Sequence, residues 1–225
     1  MNLSTLSASR KNANGSAAAR YHQQLFSPQG QSALDYLTSD RGLSEATIKA
    51  FGLGFVADPD SAHEQYRGRI CLPYLTPGGD VMKLRFRAVP PYEGNAKYLD
   101  IAGGSPRMFN TSAIVNGGRE LVISEGEMDT IALTQMGYKA VGVAGTQSWQ
   151  PHFKRMLDGF SRIIVTVDND DGGAGREFAN KVSEEMEEQE VVHALMPEGH
   201  DVNSAMTDLG VDVVHELLHP TPDNV

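Results

Sequence analysis

Two short acidic stretches contain the residue types best suited to chemistry. "ISEGEMD" places Glu125 directly after an apolar run, and "VTVDNDDGG" places Asp168 and Asp170 directly after another. Carboxylates this close in sequence repel one another unless a cation lies among them. Oxygen ligands without His or Cys suit Mg²⁺ or Mn²⁺ rather than zinc. The pattern therefore predicts a catalytic divalent-metal site formed by Glu125, Asp168 and Asp170.

Further polar residues near these stretches form a candidate outer ring. Asp201 and Asn203, in "PEGHDVN", have two open interpretations: they reach the metal or a nucleotide, or they cap the helix that follows. A plain acidic rim is the alternative for the whole cluster. It is disfavoured because Glu125 and Asp168 both follow predicted strands, where acids have no evident structural role. The remaining members of the outer ring are Glu127, Asp129 and Asp171.

The acidic residues must be positioned by the alternating strands and helices of the C-terminal half. This alternation predicts a parallel sheet covered by helices on both faces. Sites in such sheets lie at the carboxyl ends of the strands, and neighbouring strands lie about 4.8 Å apart. Gly145 and Thr146 follow the second strand and are candidate nucleotide contacts. The predicted strands are 119–124, 139–144, 162–167 and 191–196, and the predicted helices are 127–136, 151–157 and 173–190.

A hairpin of strands 68–75 and 81–89 dominates the N-terminal half. In its second strand Lys83, Arg85 and Arg87 alternate with apolar residues, so all three cations share one face. Residues 67–107 hold seven Lys/Arg and three carboxylates, a net charge of +4, whereas the rest of the chain carries −14. A local basic field in an acidic protein suggests a binding surface for polyanions. The alternative is one solvated face of a sheet.

The remaining sequence sets the predicted domain limits and setting. Residues 1–20 lack apolar periodicity and predict a mobile arm, and residues 21–38 predict a helix. A seam at 111–118 separates a basic N-terminal subdomain, 21–115, from the α/β domain, 116–225. The single cysteine, Cys71, excludes an internal disulfide and a zinc ribbon. No apolar run approaches the length of a membrane span, so a cytoplasmic location is expected.

The motifs of the chain resemble those of a known family. "ISEGEMD" and "VTVDNDDGGAGREFA" resemble the two motifs of a Toprim domain. "GLSEATIKAFGLGF", "RGRICLPYLTPGGDVMKLRFR", "KYLD" and "MPEGHDVNSAM" resemble the RNA polymerase domain of DnaG-type primases and bacteriophage primase-helicases. The resemblance spans about residues 30–217. It implies an α/β Toprim fold, a Rossmann-like parallel sheet with flanking helices, preceded by a smaller α+β subdomain.

The resemblance also implies an activity and a site. It implies a DNA primase core that makes short RNA primers on single-stranded DNA from nucleoside triphosphates. Glu125, Asp168 and Asp170 would hold Mg²⁺, Asp201 matches a further acidic position, and Asn203 stands where the family often has an acid. The basic positions implied near nucleotide and template are Arg69, Lys83, Arg85, Arg87 and Lys97.

The sequence departs from the family pattern in ways that leave other functions open. One cysteine cannot form the zinc-binding domain that usually helps such primases to recognise template. Three explanations stay open: the chain uses a partner, either a helicase or a separate template-recognition protein; it binds template poorly; or it does something else with the same site. The alternative functions are a metal-dependent Toprim nuclease and a non-catalytic DNA-binding subunit of a replication complex. A phage-encoded protein would act in the cytoplasm of its bacterial host.

Overall fold

The computed structural model describes residues 7–91, 96–101, 105–115, 117–144, 148–169 and 173–220. The chain divides into two compact units, Met1–Ser105 and Pro106–Val225. The division falls ten residues before the predicted limit between 115 and 116. The reason is a short strand, β5 (Met108–Phe109), that the sequence did not predict and that pairs within the second unit.

The first unit begins with a long helix, α1 (Ala8–Leu25). Ser7 caps this helix, since its side chain accepts a hydrogen bond from the backbone N–H of Arg10. Ala17, Ala18 and Tyr21 are buried by the sheet of the unit. The mobile arm predicted for residues 1–20 is therefore wrong over residues 8–20, because small side chains allow close packing without a strong apolar pattern. Residues 1–6 lie outside the described residues.

After α1, the first unit contains short helices and a four-stranded antiparallel sheet in the order β1-β2-β3-β4. The predicted hairpin is confirmed as β2 and β3. The helix predicted over 21–38 is interrupted after α1, and Pro28 starts a new helical segment, as expected for a proline at a first helical turn. The elements are α2 (Gln31–Asp35) with a wider turn Tyr36–Asp40, α3 (Glu45–Ala50), β1 (Gly54–Phe55), β2 (Arg69–Leu75), β3 (Val81–Ala88) and β4 (Tyr98–Asp100).

One face of this sheet packs against α1. Tyr21 lies against Phe86 of β3, and the rings of Phe86 and Tyr66 stack with centroids 3.9 Å apart. Cys71 of β2 is buried in the same cluster. Burial raises the pKa of the Cys71 thiol well above its ordinary value, because the thiolate would be desolvated.

The second unit is a five-stranded sheet in the order β5-β7-β6-β8-β9. All neighbours are parallel except β5, which runs antiparallel to β7 along the edge. The parallel sheet predicted from the alternation of strands and helices is confirmed. Its elements after β5 are β6 (Gly118–Ser124), α4 (Glu127–Gln135), β7 (Ala140–Val143), α5 (Phe153–Leu157), β8 (Phe160–Val167), α6 (Ala174–Glu185), β9 (Glu190–Leu195), α7 (Val202–Asp208) and α8 (Val211–Leu218).

Helices cover both faces of this sheet. Alternate residues of β8 point to opposite sides, so Ile163 and Val165 pack with α5 and α6 while Ile164 packs with α4, α7 and α8. Trp149 joins the first cluster and donates a hydrogen bond to Glu185. None of the helices in the described part of the chain combines the length and apolar character needed to span a membrane.

The helical state of residues 8–20 predicts the effect of removing a glycine. A Cβ added at Gly15 meets no atom within 4 Å. Gly15→Ala should therefore raise the free energy of unfolding by about 0.5–1 kcal/mol through helix propensity. The exposed Ala19→Gly change in the same helix should lower it by a similar amount. Denaturant unfolding measures both, and two neutral results would show that the segment is not helical in solution.

Candidate functional site

The carboxyl ends of β6 and β8 bring two predicted acidic residues together. β6 and β8 are neighbouring parallel strands, and Ile123 pairs with Val165. Glu125 follows β6 and Asp168 follows β8, so the two residues leave the same edge of the sheet only one residue apart in register. Both are half-buried. The structure thus places Glu125 and Asp168 on neighbouring strand ends, whereas Asp170 lies outside the described residues.

A glycine in α6 makes room for the Glu125 carboxylate. A Cβ built on Gly175 would lie 2.6 Å from Glu125 Oε1 and 3.4 Å from the backbone nitrogen of Asp168. Contacts below about 3 Å are closer than carbon and oxygen normally approach. Gly175 is therefore the position that lets the Glu125 side chain lie beside the start of the Asp168 loop.

The donor set at this edge fits a divalent cation of the Mg²⁺ or Mn²⁺ type. Glu125 and Asp168 offer carboxylate oxygens, which are the ligands such ions prefer. Within the described ranges, no group of three or more His, Cys, Asp and Glu side chains is arranged to hold a metal ion. The third predicted ligand, Asp170, lies outside those ranges.

Two residues of the predicted outer ring are buried in the fold. Glu127 and Asp129, in the first turn of α4, are both buried. Asp129 Oδ1 accepts a hydrogen bond of 3.0 Å from the backbone N–H of Asn203, which is fully buried. Asp129 therefore joins the start of α4 to the start of α7. Asp171 lies outside the described residues.

Asp201 is engaged as a helix cap. Its Oδ1 accepts hydrogen bonds of 2.7 Å from both the backbone N–H and the hydroxyl of Ser204. The Ser204 hydroxyl in turn accepts from the backbone N–H of Asp201, which completes a capping box. The geometry thus favours the capping interpretation of Asp201 over its predicted role as a metal ligand. Gly145 and Thr146, the predicted nucleotide contacts, lie outside the described residues.

In the first unit, the cations predicted on one face of β3 are partly neutralised by β4. Asp100 lies opposite Arg85 in the register and contacts two cations. Its Oδ1 is 2.8 Å from Lys83 Nζ and 3.7 Å from Arg85 Nε. The Arg85 guanidinium also lies over the Tyr98 ring, 4.5 Å from its centroid. This face is therefore not the bare solvated surface that the sequence left as an alternative.

Two of the predicted basic contacts are buried in the fold. Arg87 is only 2% exposed, and its guanidinium donates to the hydroxyls of Tyr36 and Tyr98. Arg69 is also buried and donates to the backbone carbonyl of Ala96 at 2.8 Å. Desolvation lowers the pKa of Arg69 from its ordinary value. Lys97, by contrast, is exposed.

Some residues of these sites escaped sequence reasoning. Tyr36, Tyr98 and Asp100 hold the cations of β3, but nothing in their local sequence links them to that strand. Gly175 is in the quoted "VTVDNDDGGAGREFA", yet only the packing of α6 against the end of β8, beside Glu125, shows what its missing side chain allows. The only sequence signal for Tyr36, Tyr98 and Asp100 was that their side chains can form hydrogen bonds. Such residues are common in loops, so this signal could not identify them.

The second unit matches a known domain family. Residues 122–206, which run from β6 into α7 and include both Glu125 and Asp168, match the Toprim-like family. Together with the parallel sheet and its acidic edge, this match defines a Toprim-domain protein.

The relatives extend the similarity over most of the chain. The chain is 36% identical over 157 residues to the Gene 57 protein of Mycobacterium phage D29, covering 68% of this chain and 99% of that protein. It is 26% identical over 229 residues to the DNA primase of Neisseria meningitidis, covering 84% of this chain and 38% of that primase. The chain thus spans nearly all of the phage protein but well under half of the bacterial primase.

A solved structure shows the same fold. The DnaG primase catalytic domain bound to ssDNA is 21% identical, with a TM-score of 0.74 over 93% of this chain and 82% of that chain. The chain belongs to the same family as the Gene 57 protein, and its second unit contains a Toprim-like domain.

The close approach of Glu125 to Gly175 predicts that adding a side chain at position 175 destabilises the protein. Gly175→Ala should lower the free energy of unfolding by about 1–3 kcal/mol, because the new methyl group would lie 2.6 Å from Glu125 Oε1 and 3.3 Å from Val167 Cγ1. Gly15→Ala is the matched control, since its methyl group enters open space. Denaturant unfolding of both variants makes the comparison. Equal stabilities would contradict the close approach of Glu125 to α6.

The burial of Arg87 predicts a structural cost for losing its partner. The Tyr36 hydroxyl accepts from Arg41 Nε at 2.7 Å and from Arg87 Nη2 at 3.0 Å. Tyr36→Phe should lower the free energy of unfolding by about 1–3 kcal/mol, because buried donors lose their acceptor. Tyr66→Phe removes a hydroxyl that donates one 3.3 Å bond to Asp100, and should cost less. Thermal and denaturant unfolding rank the two, and the reverse order would contradict this role.

Proposed function

We propose that this chain is the catalytic core of a DNA primase, which joins nucleoside triphosphates into short RNA primers on single-stranded DNA. The observation that carries the proposal is the meeting of Glu125 and Asp168 at the ends of neighbouring parallel strands in a Toprim-like unit. The primase identity of the Neisseria relative and the DNA bound to the similar solved structure support it.

The acidic edge of the second unit is the proposed centre of nucleotidyl transfer. Glu125, Asp168 and Asp170 would hold Mg²⁺ or Mn²⁺ through their carboxylate oxygens. Such an ion, when bound, neutralises phosphate charge and favours the ionised form of an attacking 3′ hydroxyl. The chain itself positions the carboxylates. Gly175 gives Glu125 its place, and the Asp129–Asn203 hydrogen bond fixes the two helices that begin beside the site.

The first unit is the proposed source of positive charge for template and triphosphate. Lys83 and Arg85 present their charge beside Asp100, and Lys97 is exposed. Contacts of this kind bind nucleic acid through phosphates and weaken as salt rises. Arg69 and Arg87 would contribute indirectly, since their guanidinium groups are buried in hydrogen bonds that hold the sheet.

The setting and partners belong to the same proposal. The Gene 57 relative is a phage protein, which supports a phage-encoded chain that acts in the cytoplasm of a bacterial host. Template recognition would be shared with a partner, either a helicase or a separate template-recognition protein.

Primer synthesis by carboxylate variants tests the proposal. Purified protein with single-stranded DNA, labelled nucleoside triphosphates and Mg²⁺ or Mn²⁺ should make short RNA. Asp168→Asn keeps the side-chain shape but removes the charge. It should lower the rate of primer synthesis by about 100-fold or more, which exceeds the loss usually seen when a residue that hydrogen-bonds to a metal ligand is changed. Asp212→Asn, an exposed Asp in α8, is the matched control and should keep the rate.

The same reactions separate the alternative functions. DNA cutting that depends on Asp168 and occurs without RNA synthesis would replace the proposal with a nuclease. DNA binding without turnover in any metal, and unchanged in Asp168→Asn, would replace it with a non-catalytic subunit. Equal RNA synthesis by wild type and Asp168→Asn would show that the acidic edge is not the catalytic centre.

A further inference from the structure

One carboxylate serves two cations on the basic face of the first unit. Asp100 Oδ1 lies 2.8 Å from Lys83 Nζ and 3.7 Å from Arg85 Nε. By contrast, four ion pairs elsewhere in the described part of this unit each join one cation to one carboxylate: Lys11 with Asp80, Arg20 with Asp60, Lys49 with Glu45, and Arg67 with Glu64. The side chains of Lys83, Arg85 and Asp100 thus form one cluster of two cations and one carboxylate.

Asp100 is also the outermost member of this group. Its side chain is 46% exposed, whereas those of Lys83 and Arg85 are 11% and 15% exposed. Lys83 Nζ lies over the Tyr74 ring and the Arg85 guanidinium over the Tyr98 ring, so aromatic faces cover much of both cations. A phosphate that approaches Lys83 and Arg85 from solvent therefore meets the Asp100 carboxylate first.

The energetics allow a phosphate to take the place of Asp100. Asp100 is the solvent-exposed partner in both contacts, so its carboxylate can turn to water when a phosphate takes its place beside the two cations. Two cations held close together attract a phosphate of a nucleic acid strongly. Binding of that phosphate also releases counterions from the nucleic acid, which favours the complex further. Conversely, the fixed carboxylate repels each phosphate and lowers the affinity of the face.

We propose that Asp100 is a built-in counterion that competes with phosphate for Lys83 and Arg85, and so sets the affinity of the basic face for polyanions. The inference rests on the proposed function for its nucleic-acid ligand and deepens it. Asp100 limits how tightly the template or triphosphate is held, which favours release over retention.

Neutralising Asp100 should tighten binding of single-stranded DNA. Asp100→Asn keeps the side-chain size and removes the negative charge. We expect an affinity gain of about five-fold at moderate salt. The salt dependence of the binding constant should steepen by about 0.7 in the logarithmic slope, the value for one additional phosphate contact on a single strand.

The binding experiment uses labelled oligothymidylate and fluorescence anisotropy across a salt series. Asp80→Asn is the matched control, since it makes the same charge change in the same unit and frees Lys11 elsewhere. Asp100→Glu keeps the charge and should bind like wild type. An equal gain in Asp80→Asn and Asp100→Asn would reduce the effect to net charge and overturn the proposal. So would the absence of a gain in Asp100→Asn.

A double-mutant cycle tests the named cation. Lys83→Met removes one of the two cations that Asp100 contacts. If the proposal holds, Asp100→Asn should give a smaller gain in the Lys83→Met background than in wild type. Equal gains in both backgrounds would show that Asp100 acts without Lys83, which contradicts the shared contact.

A stability measurement covers the case in which Asp100→Asn folds poorly. Inorganic tripolyphosphate should raise the thermal unfolding midpoint of Asp100→Asn more than that of wild type, because the anion replaces the missing carboxylate. Equal shifts would overturn the proposal.

Primer synthesis is measured in parallel on wild type. An inactive wild type with tighter DNA binding by Asp100→Asn would reject the proposed function and keep this inference. An active wild type without tighter DNA binding by Asp100→Asn would keep the proposed function and reject this inference.

Discussion

The parallel register between β6 and β8 is the constraint on which the acidic site depends. Pairing of Ile123 with Val165 sets Glu125 level with Val167, so Asp168 follows one residue later. A slip of one residue would turn every side chain of a strand to the other face of the sheet. Because both faces are buried under helices, such a slip would move Ile163 and Val165 from the cluster with α5 and α6 to the opposite face, where α4, α7 and α8 pack. The core that stabilises the unit therefore also fixes where the carboxylates meet.

Charge in this protein is organised locally and not by its total. The chain carries a net charge of −10, yet cations gather on β3 and carboxylates gather at the edge of the second sheet. Within the first unit, the cations of β3 have different partners. Arg87 is used to hold Tyr36 and Tyr98 together in the interior, whereas Lys83 and Arg85 keep charge near the surface. Cations on one strand face thus have different surroundings according to what covers them.

Much of this architecture was readable from the sequence, and the failures have physical causes. The hairpin and the parallel sheet were predicted because period-two alternation and strand–helix alternation are strong local signals. Helix α1 was missed because Ala17, Ala18 and Tyr21 are buried by a distant sheet, and small residues leave a weak pattern. β5 was missed because two residues are too few for periodicity.

The site residues divide in the same way. The placement of Glu125 and Asp168 at neighbouring strand ends was predictable because position after a strand is itself informative. The capping role of Asp201 was not separable from metal ligation, since both need a carboxylate at the same place. The burial of Arg87 depends on Tyr36, which lies 51 residues away in sequence, and no local pattern encodes that contact.

The interior position of Cys71 has a practical consequence for solution work. Its thiol is buried in the cluster beneath α1 and resists ionisation, and only the thiolate reacts readily with alkylating reagents. As the sole cysteine of the chain, it leaves the native surface inert to maleimides. A cysteine introduced at an exposed position would accordingly take a dye or spin label at that place alone, with the native thiol left intact inside the folded protein.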